Sequence, residues 1–123
     1  MSWQNFKLSE FSCKHCGENK VSHDLIDKLQ ELRNECDFPF IITSGYRCPK
    51  HPVEINKKKY GMHTKGLAVD ILASGTQAYE IVANAPSFGF TGIGVSQKGK
   101  SRFIHLDMYG EKHDNIRPYI WSY

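Results

Sequence analysis

His63-Thr64-Lys65-Gly66-Leu67-Ala68-Val69-Asp70 sets an imidazole and a carboxylate seven positions apart. On one straight strand that separation spans over ~20 Å, so the two groups meet only if the chain turns between them. Gly66 permits such a turn. Asp70 lies between Val69 and Ile71, where an ionised carboxylate is costly unless a cation or several donors pair with it. Arg102-Phe103-Ile104-His105-Leu106-Asp107-Met108 adds a second imidazole. As a strand, this segment turns Phe103, His105 and Asp107 to one face, and Ile104, Leu106 and Met108 to the other. The apolar set belongs in a core, which leaves His105 and Asp107 on the opposite face. His63, Asp70 and His105 together offer two imidazoles and one carboxylate, a usual ligand set for a catalytic zinc ion that keeps its fourth position open. Such an ion activates water and polarises a carbonyl. A carboxylate nearby must still accept the water's proton and pass it to a leaving amine.

A second set of potential ligands involves the cysteines. Cys13-x-x-Cys16 and Cys48-Pro49-Lys50-His51 each have the internal spacing of half a zinc site. A structural zinc at Cys13, Cys16, Cys48 and His51 is one reading. Ordinary thiols, or a pair close enough to oxidise, is the other. Four cysteines (the fourth is Cys36) are few for a disulfide scaffold.

These residues must be positioned by a small fold. The 123 residues suffice for a single domain, 1–123, with its own core. Hydrophobic residues at 40% and charged residues at 24% are an ordinary globular balance. A net charge of +3 favours approach to an anionic polymer such as a bacterial wall, but is too small to argue for nucleic acid. No apolar run is long enough for membrane insertion. Met1 to Lys7 does not read as a secretory leader, so the chain is expected to be cytoplasmic as synthesised, and monomeric.

Ser22 reads as the N-cap of a helix over 22–36, with Leu25, Ile26, Leu29, Leu32 and Cys36 on one face and Pro39 behind its end. Phe40-Ile41-Ile42-Thr43 reads as a buried strand, and Leu67 to Leu72 as a second. Ser44 to Met62 is a long polar loop, of a length that is usually functional, and Lys57-Lys58-Lys59 within it reads as a solvated face. Thr76 is expected to cap a short helix ending at Ala85, stopped by Pro86. Ile93-Gly94-Val95 and Arg102 to Met108 are expected to form a hairpin around Gln97-Lys98-Gly99-Lys100. The aromatic tail from Ile116 to Tyr123 should pack back onto the rest. The fold class is α+β: a small, mainly antiparallel sheet with flanking helices.

Ser44-Gly45-Tyr46-Arg47-Cys48-Pro49-x-His51, then His63, Asp70 and Phe103-Ile104-His105-Leu106-Asp107, occur in an order that resembles the D-Ala-D-Ala carboxypeptidase family of zinc peptidases. The similarity is greatest to its small bacterial and phage endolysin-like branch, and extends from Phe6-x-Leu8-Ser9-Glu10-Phe11 through Trp121. The resemblance implies the hedgehog-like peptidase fold, zinc on His63, Asp70 and His105, and cleavage of peptidoglycan peptides after release to the cell wall. It also implies that Arg47 steers a substrate carboxylate, which a guanidinium can grip in bidentate fashion, with Ser44 and Tyr46 lining the same pocket.

Relatives place a proton-transfer residue where this chain has Phe103 or Arg102, so Asp107, the carboxylate on the same strand face, is the expected catalytic base. Its other reading is a partner that orients a ligand histidine, and His113 is a more distant candidate. Three functions follow: a peptidase cutting stem peptides or cross-links, a D,D-carboxypeptidase or dipeptidase acting on free ends, and a non-catalytic zinc-binding recognition module.

Overall fold

The computed structural model describes residues 2–55, 61–108 and 116–123. The expected Lys57-Lys58-Lys59 face and the candidate His113 lie outside the described residues. After a 3-10 turn at Leu8–Phe11 come α1 (His23–Cys36), β1 (Ile41–Ser44), β2 (Ala68–Leu72), α2 (Gly75–Asn84), a 3-10 turn at Ala85–Phe88, β3 (Gly92–Ser96), β4 (Phe103–Asp107) and β5 (Tyr119–Ser122). The strands form one sheet in the order β1-β2-β4-β3-β5, and the fold class is α+β as expected. No helix among the described residues is long and apolar enough to cross a membrane.

Helix α1 follows its sequence pattern closely. Ser22 is extended and its side chain accepts from the Leu25 N–H, satisfying one of the unpaired donors of the first turn. Leu25, Ile26, Leu29 and Leu32 are fully buried, each contributing about 1.5–3 kcal/mol by leaving water. The helix ends at Asp37, which takes a left-handed conformation with φ of 60° and donates its N–H to Arg33 O. A short polar side chain tolerates that conformation, so the helix stops before Pro39 can act on it.

Val69 and Ile71 of β2, Ile93 of β3 and Ile104 and Leu106 of β4 meet α1 together with Ala78 and Ile81 of α2 in one core. The alternation expected for residues 103–108 therefore holds: the apolar set enters the core and His105 and Asp107 take the other face. The sheet is antiparallel except where β5 runs parallel to β3, with Gly94 opposite Trp121. The tail thus packs back as a strand.

Two expectations need correction. β1 is an edge strand, not a buried one: among the described residues it pairs with β2 alone, and Ile41 is 58% exposed. Helix α2 begins at Gly75 behind Ser74, so Thr76 lies inside its first turn instead of capping it. The α-helix does end just before Pro86, at Asn84 with Ala85 as its C-cap, and Pro86 lies in the first turn of the 3-10 segment that follows, where its missing N–H costs nothing.

Candidate metal centre

Register brings two of the side chains together. Asp70 of β2 stands directly opposite His105 of β4, on the face away from the helices. His63 reaches them through a tight turn in which Gly66 N–H donates to His63 O and Leu67 N–H to Met62 O. Gly66 has φ of 73°, and a Cβ there would lie 2.2 Å from the Lys20 carbonyl oxygen, so both its backbone and its surroundings require glycine. Asp70 Oδ1 lies 3.2 Å from His63 Nε2 and 3.1 Å from His105 Nδ1. All three residues are buried, and one donor atom from each falls within 4.8 Å of the others.

The remaining nitrogen of each histidine is also held. His63 Nδ1 lies 2.8 Å from Gly45 O. A carbonyl only accepts, so Nδ1 carries a proton and Nε2 is the nitrogen that faces Asp70. His105 Nε2 lies 2.9 Å from Asp107 Oδ2. The Asp107 carboxylate is itself gripped by the Arg117 fork, Nε and Nη2 each donating at 3.1 Å. Metal-binding histidines carry this kind of outer hydrogen bond, which fixes ring and tautomer. Nitrogen and carboxylate donors, converging without an apolar side chain between them, fit zinc.

The electrostatics agree with a site for positive charge. Burial works to raise the Asp70 carboxyl, but hydrogen bonds from His105 and His63 hold it well below the usual carboxylate range. Burial likewise opposes ionisation of Asp107, and His105 and then Arg117 overcome it. His105 is raised: burial disfavours its charge, while Asp107 and Asp70 favour it.

These groups open onto a cleft of about 350 Å³ whose walls include Arg47, Met62, Phe103, Trp121 and Tyr123. Arg47 donates from Nε to Ser44 Oγ, from Nη1 to Glu54 Oε2 and from Nη2 to Asp70 Oδ2, at 3.1, 3.4 and 3.4 Å. Among the described residues these bonds engage three of its five N–H donors. Ser44 therefore positions Arg47. Tyr46, expected in the substrate pocket, is instead buried against Cys13 and Cys48, because its N–H is tied to Phe11 O and its ring follows the N-terminal segment.

Sequence reasoning missed three contributors. Glu54 is fully buried and accepts from Gly61 N–H and Thr64 Oγ1 while pairing with Arg47, which ties the loop before His63 to the site. Arg117 was not singled out at all. Trp121, 5.1 Å from the His105 ring, appeared only as part of an aromatic tail. It sits where β3 has no side chain: a Cβ on Gly94 would come 2.7 Å from Trp121 Nε1, and one on Gly92 would strike the Asp107 carboxylate. The Gly92-Ile93-Gly94-Val95 pattern, small on one face and apolar on the other, was the signal available.

The cysteines form a second group. Cys13, Cys16 and Cys48 could hold a metal ion, with their sulfurs within 4.8 Å of one another, and all are free of disulfides. Neither His51, expected with them, nor His15 is in that group; His51 Nδ1 accepts from Val53 N–H within its own turn. His15 Nδ1 lies 3.5 Å from Cys48 Sγ. Burial acts to raise the Cys13 thiol, but N–H groups of Cys48, Cys16 and His15 directed at it bring it down to about 7.

A search of curated proteins gave no match to the chain. A family model described as Peptidase M15 matches residues 4–107. That span contains β2, β4 and all three of His63, Asp70 and His105, and the chain belongs to the Peptidase M15 family of zinc metallopeptidases, which includes the D-Ala-D-Ala carboxypeptidases.

Proposed function

We propose that this chain hydrolyses peptide bonds in the stem peptides or cross-links of peptidoglycan, using zinc held by His63, Asp70 and His105. The observation that carries the reading is the convergence of these three buried side chains on the floor of a cleft that also presents Arg47. When bound there, zinc supplies a Lewis acid that polarises a peptide carbonyl and acidifies water.

The chain's own residues divide the remaining work. Arg47 has two N–H donors beyond its bonds to Ser44, Glu54 and Asp70, and offers them to a substrate carboxylate at the cleft wall. Glu54 and Ser44 keep the guanidinium oriented. Phe103, Trp121 and Tyr123 exclude water from the apolar side of the substrate. Asp107 is the expected catalytic base, yet its full burial, its bond to His105 Nε2 and its clamp by Arg117 support the other role, a positioning residue that orients His105.

Arg47 Nη2 is 3.4 Å from Asp70 Oδ2, so a carboxylate gripped by Arg47 lies beside the reacting bond. This proximity favours, as a second reading, a carboxypeptidase acting on free peptide ends. Release onto the wall as a phage endolysin is the setting in which the first reading operates. Mass analysis of purified wall fragments incubated with the zinc-loaded protein separates the possibilities. Internal cleavage supports the stem-peptide or cross-link reading, and loss of a single terminal residue supports the carboxypeptidase. No cleavage of any wall peptide, with zinc present, leaves a non-catalytic recognition module and overturns both.

A further inference from the structure

Away from the cleft, the segment Cys13-Lys14-His15-Cys16-Gly17 closes on itself. Gly17 N–H donates to Cys13 O at 2.8 Å, with Gly17 at φ of 81°, and Cys13 N–H donates to Glu18 O at 2.7 Å. This turn sets the Cys13 and Cys16 sulfurs on one side. Cys48 arrives from a different part of the chain, its N–H donating to Cys13 Sγ at 3.3 Å, and the neighbouring Tyr46 N–H donates to Phe11 O at 2.8 Å.

Three features distinguish the cluster from packed thiols. Cys48 N–H donates to the buried Cys13 sulfur, a bond across two distant parts of the chain that brings their thiols together. The three sulfurs already lie within 4.8 Å of one another. His15 Nδ1 stands 3.5 Å from Cys48 Sγ, close to one nitrogen-to-sulfur edge of a zinc tetrahedron, about 3.6 Å; it lies outside the group the three sulfurs form, so ligation requires the exposed ring to swing inward.

We propose that Cys13, Cys16, Cys48 and His15 hold a second, structural zinc ion that clasps the Gly45–Cys48 stretch to the N-terminal segment. Four protein ligands leave no position for water or substrate, so the ion serves the fold and not the reaction. What it secures is specific. The clasped stretch carries Gly45, whose carbonyl fixes His63 Nδ1, and Arg47, whose N–H donates to His63 O. The clasp therefore stands behind the wall of the cleft and does not depend on the peptidase reading.

The test uses the full chain carrying His63→Ala and His105→Ala, purified under reducing conditions. Elemental analysis is expected to find one zinc ion per chain, and replacement by cobalt(II) to give a sulfur-to-cobalt charge-transfer band, which a histidine and carboxylate site cannot produce. In this background Cys48→Ser should abolish the band, and His15→Ala should weaken zinc binding at least about tenfold. The cobalt spectrum needs no cysteine substitution, so it decides even if Cys48→Ser fails to fold. No metal in the double variant, whether its thiols are reactive or oxidised to a disulfide, would overturn the proposal. Zinc held as tightly by His15→Ala as by its parent would overturn the fourth ligand. A wild-type chain that cleaves nothing but retains the band would sink the peptidase reading and leave the clasp standing.

Discussion

His63, Asp70 and His105 hang on or beside paired strands, whereas Cys13, Cys16 and Cys48 hang on two loops joined by a few backbone hydrogen bonds. In the first group, register sets the distance between Asp70 and His105, and Gly45 O and Asp107 hold the outer nitrogens of the two rings. Strand pairing and these outer bonds position the donors. In the second, Cys16 is exposed and the closest imidazole, His15, is exposed as well, so the ion itself would supply much of the order. The contrast teaches that one fold can contain a site built for an ion and a site built by one. Removing metal should cost activity at the first and stability at the second.

The largest expected effect is at the strand-borne group. His63→Ala should reduce hydrolysis of wall peptides to background in a mass-spectrometric assay while circular dichroism remains that of the parent. Unchanged hydrolysis would break the comparison at once. Next is Asp107→Ala, for which zinc affinity and activity should both fall about 10–100-fold, as for other partners that orient a ligand histidine. If Asp107 is instead the proton acceptor, activity collapses while metal affinity, measured by competition with a chelator, stays put.

Arg47→Lys keeps the charge but loses the planar fork. For substrates bearing a free carboxylate, kcat/KM should drop about tenfold, mostly through KM, in steady-state kinetics. The smallest change in activity is expected at the cysteine group, where Cys48→Ser should lower the thermal midpoint by several degrees, corresponding to about 1–2 kcal/mol. Cys36→Ser is the control: its Sγ contacts Glu80 O at 3.7 Å, it lies outside the Cys13, Cys16 and Cys48 group, and its midpoint should shift by no more than about 2 °C in the same calorimetric scan.

What could be read from the sequence followed local pattern. Helix α1 was visible in Ser22 and the spacing of its leucines, and the two faces of β4 in strict alternation from Phe103 to Met108. The ligand trio was visible because each member breaks an apolar pattern or precedes a turn glycine. Global arrangement was less accessible. Nothing local in Phe40-Ile41-Ile42-Thr43 says that β1 has one neighbour instead of two, since an exposed edge strand and a buried one draw on the same β-branched residues. The Cys48-x-x-His51 spacing pointed to His51, but a competing bond from Val53 N–H holds that ring within its own turn. Arg117 and Trp121 reach the centre only because β5 pairs parallel to β3 in one particular register, a long-range fact that no short window contains.

The family match ends at Asp107, yet the side chains that clamp Asp107 and cover His105 come from Arg117 and Trp121 beyond it. The centre is thus assembled from the matched span and from two side chains that follow it. β5 sits at the sheet edge and Trp121 fills the gap left by Gly94, so this strand forms a wall beside the floor. Grafting a different closing strand, with Arg117 retained, should retune which peptides enter while leaving zinc content constant. On the proposed reading, β5 then helps choose the peptide beside Arg47 and Phe103, while the paired strands hold the ion.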